Sequence, residues 1–314
     1  DILLSAPPVF YSGFGNNFPQ NIATIENKGL EFLATYRDNI GDLSFSATAN
    51  FAAITNEVTS LGNSTRLVQG SFTSNTINSL EITPGRPVSS FFGWVVDGIY
   101  QSDAEATAAN DQKGNPRAGD LRFKDIDGDG DIDDDDQTAL GSGIPDFEYG
   151  LNLSAEYKNW DLNLFFNGVS GNKILNGTKY RGYFDFNGNY FADALNAWTP
   201  SNTNTNIPRN TQADPGFNRR MSDFYLENGS FLRLRNAQIG YSIPSDILDK
   251  VKLSKARLYL SATNLFTITD YTGYYPEVGR NGRSSNGRAV LNTGIDEGSY
   301  PTPRTFQLGL QVSF

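Results

Sequence analysis

The 314 residues contain no cysteine and no histidine, and only one methionine. Without cysteine there is no disulfide framework, no thiolate metal site and no cysteine nucleophile. Without histidine the commonest general base and transition-metal ligand are gone, and with them every Ser-His-Asp arrangement. Carboxylates alone could still do chemistry, but no acidic pair here stands beside a second motif of a glycosidase. No run approaches the ~18 apolar residues of a membrane-spanning helix. The opening Asp1-Ile2-Leu3-Leu4-Ser5 has neither the basic start nor the apolar stretch of an export signal, which predicts a beginning inside a longer polypeptide. There is no basic stripe to neutralise phosphates, and this argues against nucleic acid.

What is present is acid in one place and aromatic rings throughout. The net charge is −10, yet eight aspartates fall within residues 125–136, and setting those aside leaves only −2. The acidity is a local feature rather than a field over the whole surface. The 22 Phe and 15 Tyr are spread along the chain.

Seven segments alternate apolar and polar residues with period two, the signature of a strand with one apolar face. They are Gly29–Arg37, Leu43–Ala53, Phe147–Tyr157, Trp160–Val169, Phe231–Ile243, Ala256–Phe266 and Arg304–Phe314. In Phe231–Ile243 the phase slips near Asn236, as a β-bulge would make it do. A soluble β-sandwich also alternates along its strands. Three features favour a membrane barrel instead. The segments run to about 9–13 residues, near the ~9–11 that cross a bilayer at a tilt and longer than the ~5–6 usual in soluble sheets. Aromatics mark their ends, at Tyr36, Phe147, Tyr157, Trp160 and Phe314, as interfacial girdles do. The links alternate short (Arg37–Asp42, Lys158–Asn159, Pro244–Lys255) and long (Ile54–Asp146, Ser170–Ser230, Thr267–Pro303). Short periplasmic turns against long extracellular loops is the asymmetry of outer-membrane barrels, and it places Phe314 at the periplasmic end. Seven strands leave two open edges, which lipid does not tolerate, so further strands are expected N-terminal to Asp1.

Asp125-Ile126-Asp127-Gly128-Asp129-Gly130-Asp131-Ile132-Asp133 reads as an EF-hand-type calcium loop. Asp stands at positions 1, 3 and 5, Gly130 at position 6 and the apolar Ile132 at position 8. The candidate ligands are Asp125, Asp127, Asp129, Asp131, Asp133 and Asp136, with Asp136 at position 12 in place of a longer Glu. The expected role of Ca²⁺ is structural, stiffening a long loop by removing repulsion between carboxylates. A solvated acidic turn without metal is the alternative. The long-loop aromatics Tyr180, Tyr183, Phe184, Tyr190, Phe191 and Trp198 could stack on sugar rings, with Tyr183, Phe184 and Trp198 the candidates for substrate binding, against the plainer reading that they fill a loop core.

The motif Gly119-Asp120-Leu121-Arg122-Phe123-Lys124-Asp125 through Asp136, followed by Gly143-Ile144-Pro145-Asp146-Phe147-Glu148-Tyr149-Gly150, resembles the SusC/RagA family of TonB-dependent transporters. So do Asn27-Lys28-Gly29-Leu30-Glu31, the stretch Pro87–Trp94 with Asp97-Gly98-Ile99-Tyr100, and Tyr157–Leu162. Ser230–Asn236 and Ala262-Thr263-Asn264-Leu265-Phe266 complete the series. The resemblance implies an all-β chain, about 7–8 strands of a transmembrane antiparallel barrel of roughly 22 strands. All of residues 1–314 would then be the C-terminal part of one barrel domain, with the plug and the TonB box outside it. It further implies import of oligosaccharides or peptides across the bacterial outer membrane. The expected partners are TonB, a SusD-like surface lipoprotein as lid, and outer-membrane lipids, with no enzymatic activity. Phe314 resembles the C-terminal aromatic of the barrel-assembly signal. A calcium-stabilised carbohydrate-binding or adhesive β domain at the cell surface is the alternative, distinguished by whether the apolar strand faces are buried or open.

Overall fold

The computed structural model describes residues 2–6, 18–62, 64–72, 77–184, 189–211, 213–214, 216–279 and 293–314. Eight strands form one open antiparallel sheet: β1 (Ile2–Ala6), β2 (Phe18–Ile40), β3 (Leu43–Ser60), β4 (Phe147–Tyr157), β5 (Trp160–Ser170), β6 (Phe231–Ser242), β7 (Lys255–Thr269) and β8 (Thr305–Ser313). Each strand pairs with its neighbours in the sequence, so the sheet is a simple meander. Every link is therefore a hairpin or a loop between adjacent strands, and none crosses over.

The seven alternating segments all fall on strands of this sheet. The eighth strand, β1, is only five residues long, too short to show a period. The hairpin of β2 and β3 is longer than the alternation predicts, reaching 23 and 18 residues. Its far end leaves the pattern because it meets protein instead of an open face. Ala23 and Val58 there are buried against Leu61 and Ile82 of the following loop. The phase slip in β6 is a bulge: Phe165 pairs with Asn236 and Phe166 with Leu234, leaving Arg235 unmatched. Across the pair, Asn264 of β7 takes a left-handed backbone at φ 53° to absorb the extra residue.

From β2 to β8, register places the alternating apolar residues on one face. Leu153 pairs with Ala47 and Leu164, Leu164 with Ala237, Ala237 with Ala262, and Ala262 with Phe306. One row further, Ala155, Leu162, Ile239, Leu260 and Leu308 follow the same path. This face is open. Leu30, Phe32, Leu258, Leu260, Phe306, Leu308 and Leu310 are all exposed, Leu308 by 74 %. So broad an uncovered apolar surface is unstable in water and suits hydrocarbon. Aromatics rim it at both ends: Trp160 and Tyr241 (ring centroids 4.9 Å apart) at the turns, Phe51 and Phe147 (5.5 Å) towards the loops. The opposite face is polar, with Ser46 and Ser154 hydroxyls 2.7 Å apart, Asn163 donating to Asn152, and Arg257 donating through Nε to Asp161 at 2.8 Å.

The hydrophobic core lies outside the sheet. The three long loops, residues 61–146, 171–230 and 270–304, meet in one layer beyond the strand ends. Leu80 and Phe91 from the first loop, Leu175, Phe184, Met221 and Tyr225 from the second, and Ile295 from the third share a single buried cluster. At the opposite end the links are short: Gly41-Asp42, Lys158-Asn159, and residues 243–254 with one turn of helix at Ser245–Leu248. Phe314 follows β8 at that short-turn end, where Ser313 pairs with Lys255, and is 95 % exposed.

Candidate functional site

Backbone contacts lock the loops together. The Trp94 amide donates to the Met221 carbonyl at 3.0 Å, joining the first loop to the second. The two backbones pass so close there that a side chain at Gly93 would run into that carbonyl. The Leu175 amide donates to the Gly294 carbonyl at 2.8 Å, joining the second loop to the third. Buried charge adds to this. Asp120, fully buried, accepts from Arg209 at 2.7 and 2.9 Å and from Asn218 at 3.0 Å. Asp111 and Arg220, both buried, pair at 2.7 Å, with the guanidinium over the Phe123 ring. Such pairs fix one arrangement because breaking them strands a charge out of water.

The acidic loop hangs from this layer. Ile132 is buried in a second cluster with Trp94, Ile99, Leu121, Phe123 and Trp198, and the Trp94 indole donates to the Asp133 carbonyl at 2.7 Å. Asp125, Asp127 and Asp136 each bring a carboxylate oxygen within 4.8 Å of the others. Gly130 holds a backbone φ of 91°, open only to a residue without Cβ, and so lets the loop fold back. Its amide and that of Gly128 donate to Asp125 at 2.9 and 2.6 Å. Asp136, 1 % exposed, accepts from the Ile126 and Asp133 amides at 2.6 and 2.9 Å. The remaining three sequence candidates stand outside the group. Asp129 accepts from the Asp131 amide and Asp133 from the Asp135 amide, while Asp131 is held by the side chains of Asn110 and Gln112. The Asp129 amide pulls the Asp127 carboxyl down, but desolvation and the charges of Asp129, Asp136 and Asp125 outweigh it, and its pKa lies above the ordinary value. Three converging hard oxygens that repel one another are a donor set suited to Ca²⁺.

A cavity of about 420 Å³ opens between the second and third loops. Asn176, Lys179, Tyr183, Phe191, Asp193, Glu227 and Tyr274 are among its walls. Tyr183 donates to Asp193 at 2.5 Å, and burial followed by that carboxylate raises its pKa well above the usual phenol. Glu227 accepts from Asn176 at 3.0 Å and from the Thr272 amide at 2.8 Å. Lys179 donates to the Phe224 carbonyl at 2.5 Å and lies 4.1 Å over the Phe224 ring; burial lowers its pKa.

Of the three aromatic candidates, Phe184 and Trp198 are buried among loop side chains, as the core reading expects. Tyr183 is equally buried but turns its hydroxyl to the cavity wall. The cavity itself is not legible in the sequence. Asn176 and Tyr274 lie almost a hundred positions apart, and no motif links them.

No family model matches the chain. It is 37 % identical over 320 residues to TonB-dependent receptor P3 of Formosa agariphila and 32 % identical over 320 residues to TonB-dependent receptor P26 of the same organism. To TonB-dependent receptor SusC of Bacteroides thetaiotaomicron it is 28 % identical over 331 residues. All of this chain is covered in each case, against 31 %, 31 % and 29 % of those proteins, so it spans about a third of their length. Among solved structures it matches the RagAB peptide transporter with a TM-score of 0.74 and 26 % identity, over 100 % of this chain and 32 % of that one. The RagAB peptide importer in its open-open state gives a TM-score of 0.76 at 25 % identity, over 100 % and 31 %. These relatives are named as receptors and transporters. An open eight-stranded meander, greasy outside and polar inside, with interlocked outer loops, is what a piece of such a barrel looks like: the chain is a fragment of a SusC/RagA-like TonB-dependent transporter.

Proposed function

We propose that residues 1–314 form the C-terminal part of the barrel wall and outer loops of a TonB-dependent importer in the bacterial outer membrane. The whole barrel has roughly 22 strands and takes up oligosaccharides or peptides. The reading rests on one observation above all, the continuous apolar face running from Leu30 to Leu310 and left open on one side of the sheet. The polar face lines the lumen, and the loop layer forms the vestibule through which a nutrient enters. The RagAB and SusC relatives support import as the activity and a SusD-like lipoprotein as the lid over the loops. The plug and the TonB-contacting segment belong to the part of the protein outside these residues. Ca²⁺ bound by Asp125, Asp127 and Asp136 stiffens the first loop without taking part in transport.

The test uses the full-length protein in its own membranes. Salt and carbonate washes should leave it in place, detergent should release it, and loss of TonB should abolish nutrient uptake through it. Release by buffer alone would instead favour a soluble, calcium-stabilised carbohydrate-binding or adhesive domain.

A further inference from the structure

The cavity between the second and third loops holds negative charge that the loop packing leaves unbalanced. Its 420 Å³ falls within the ~300–1,000 Å³ typical of small-molecule sites. Two of its walls are carboxylates, Asp193 and Glu227. Glu227 is oriented by neutral donors, the Asn176 side chain at 3.0 Å and the Thr272 amide and hydroxyl at 2.8 Å each. Asp193 is exposed and accepts from the Tyr183 hydroxyl on one oxygen; among the described residues its other oxygen has no hydrogen-bond partner. Lys179 is the one cation on the described lining, and its ammonium is held by the Phe224 carbonyl and ring. Burial lowers its pKa against the pull of Glu227 and Asp193. One positive charge thus stands against two negative ones, and it is already engaged elsewhere.

The remaining walls are aromatic. Phe191 is 39 % and Tyr274 67 % exposed, and the Tyr183 ring stands at 79° to Phe191 with centroids 6.2 Å apart. An aromatic ring carries negative charge on its face and attracts a cation placed against it. Rings beside carboxylates therefore select a positive group with an organic body. An anion would meet Asp193 and Glu227 with no free cation to balance it. A metal ion fits poorly as well. Ca²⁺ wants about six to eight oxygens, and ring faces offer none. Three acidic groups converge, among the described residues, only at Asp125, Asp127 and Asp136, outside this cavity.

The geometry points to a binding site for a small organic cation, a primary alkylamine whose ammonium donates to Asp193 and Glu227 and lies against the rings of Tyr274 and Phe191. A short diamine offers one ammonium to each carboxylate. Bound there, it ties Tyr274 of the third loop to Asp193 of the second. The inference goes beyond the import reading and holds whichever nutrient is carried.

The experiment titrates the full-length protein in detergent by calorimetry. The probes are the diamine cadaverine, the pentanediol of the same chain length, the dicarboxylate glutarate, calcium chloride and a lysine-rich peptide. Cadaverine should bind, and the diol and glutarate should bind at least about tenfold more weakly. Salt should weaken the diamine, because its partners are charged and open to solvent. Asp193→Asn and Tyr274→Ala should each weaken it about tenfold, while Tyr274→Phe keeps most of the affinity. Leu195→Ala, exposed on the same loop but off the cavity, should change nothing. Hydrogen exchange over residues 270–279 should slow when cadaverine is added. Absence of cadaverine binding overturns the assignment, whatever the peptide does. So does a diol that binds equally well, displacement of cadaverine by calcium, or binding indifferent to both Asp193 and Tyr274. The comparison of probes on the unaltered protein decides the matter even if a variant fails to fold. All these readings are taken at equilibrium without energy coupling, so loss of the site leaves the import reading standing.

Discussion

Arg233, 1 % exposed on the polar face of β6, donates through Nη1 to Glu277 of the third loop at 2.7 Å. Arg235, across the bulge, reaches the same carboxylate at 2.7 and 2.6 Å, and Tyr275 donates to it at 2.6 Å. The third loop is therefore clamped against the strand wall by two arginines whose spacing the bulge sets. Burial works against the charge on Glu277, but the Tyr275 hydrogen bond and the charges of Arg235 and Arg233 prevail, and its pKa lies below the ordinary glutamate value.

The clamp should respond to substitution and to acid. Glu277→Gln removes the charge that faces a buried guanidinium. The cost is roughly 1–2 kcal/mol, below the ~3–5 of a fully buried pair because Glu277 is exposed enough for water to screen it. Because the folded pKa is depressed, the stabilisation is complete above the unfolded glutamate value and disappears as pH falls through the lower folded one. Hydrogen exchange over residues 270–279 should accelerate in the variant at neutral pH and in the wild type only in acid. Equal exchange in both at neutral pH would show that the ion pair holds nothing.

The apolar face makes a second forecast. Leu260→Arg, in the middle of the open face beside Ile239 and Leu308, should cost about 2–4 kcal/mol on insertion into a bilayer. Gln307→Arg, one position along on the polar face, should cost almost nothing. Folding yields of the full-length protein into lipid vesicles measure both, and a polar-face variant that fared worse would reverse the assignment of the faces.

The loop layer should behave as one unit. Phe91 is fully buried in a cluster that also holds Leu175 and Tyr225 of the second loop and Ile295 of the third. Phe91→Ala should cost roughly 3–5 kcal/mol by opening a cavity in that cluster. Limited proteolysis should then cut all three loops faster while the strands stay resistant. Acceleration confined to the first loop would mean that the layer is not cooperative.

Calcium should protect the acidic loop. With about 1–10 mM Ca²⁺, enough to fill a weak site of Kd about 10⁻⁴–10⁻³ M, proteolysis within residues 121–137 should slow several-fold, and a chelator should restore it. Asp125→Asn and Asp136→Asn should each abolish the protection. Asp131→Asn should leave it, because that carboxylate is engaged by Asn110 and Gln112. A loop cut at the same rate with and without calcium would leave the aspartates as a solvated turn.

The strands of the open sheet were legible because their chemistry is periodic: a residue's neighbours two positions away share its surroundings, and Leu258, Leu260, Phe306, Leu308 and Leu310 declare the apolar face without any contact being known. The bulge at Arg235 was legible for the same reason, as a break in phase. Where β2 and β3 rise into the loop layer the period fades, and with it the strand ends. The acidic loop showed its spacing but not its convergence; that Asp136 joins Asp125 and Asp127 while Asp129 turns away depends on which amides and side chains the fold supplies. The core, the cavity and the arginine clamp were invisible for one reason. Phe91 and Ile295 share a cluster between loops, Asn176 and Tyr274 line one cavity between loops, and Arg233 of β6 holds Glu277 of the third loop. Loop–loop packing follows no period and is set by distance in space, which only the folded chain decides.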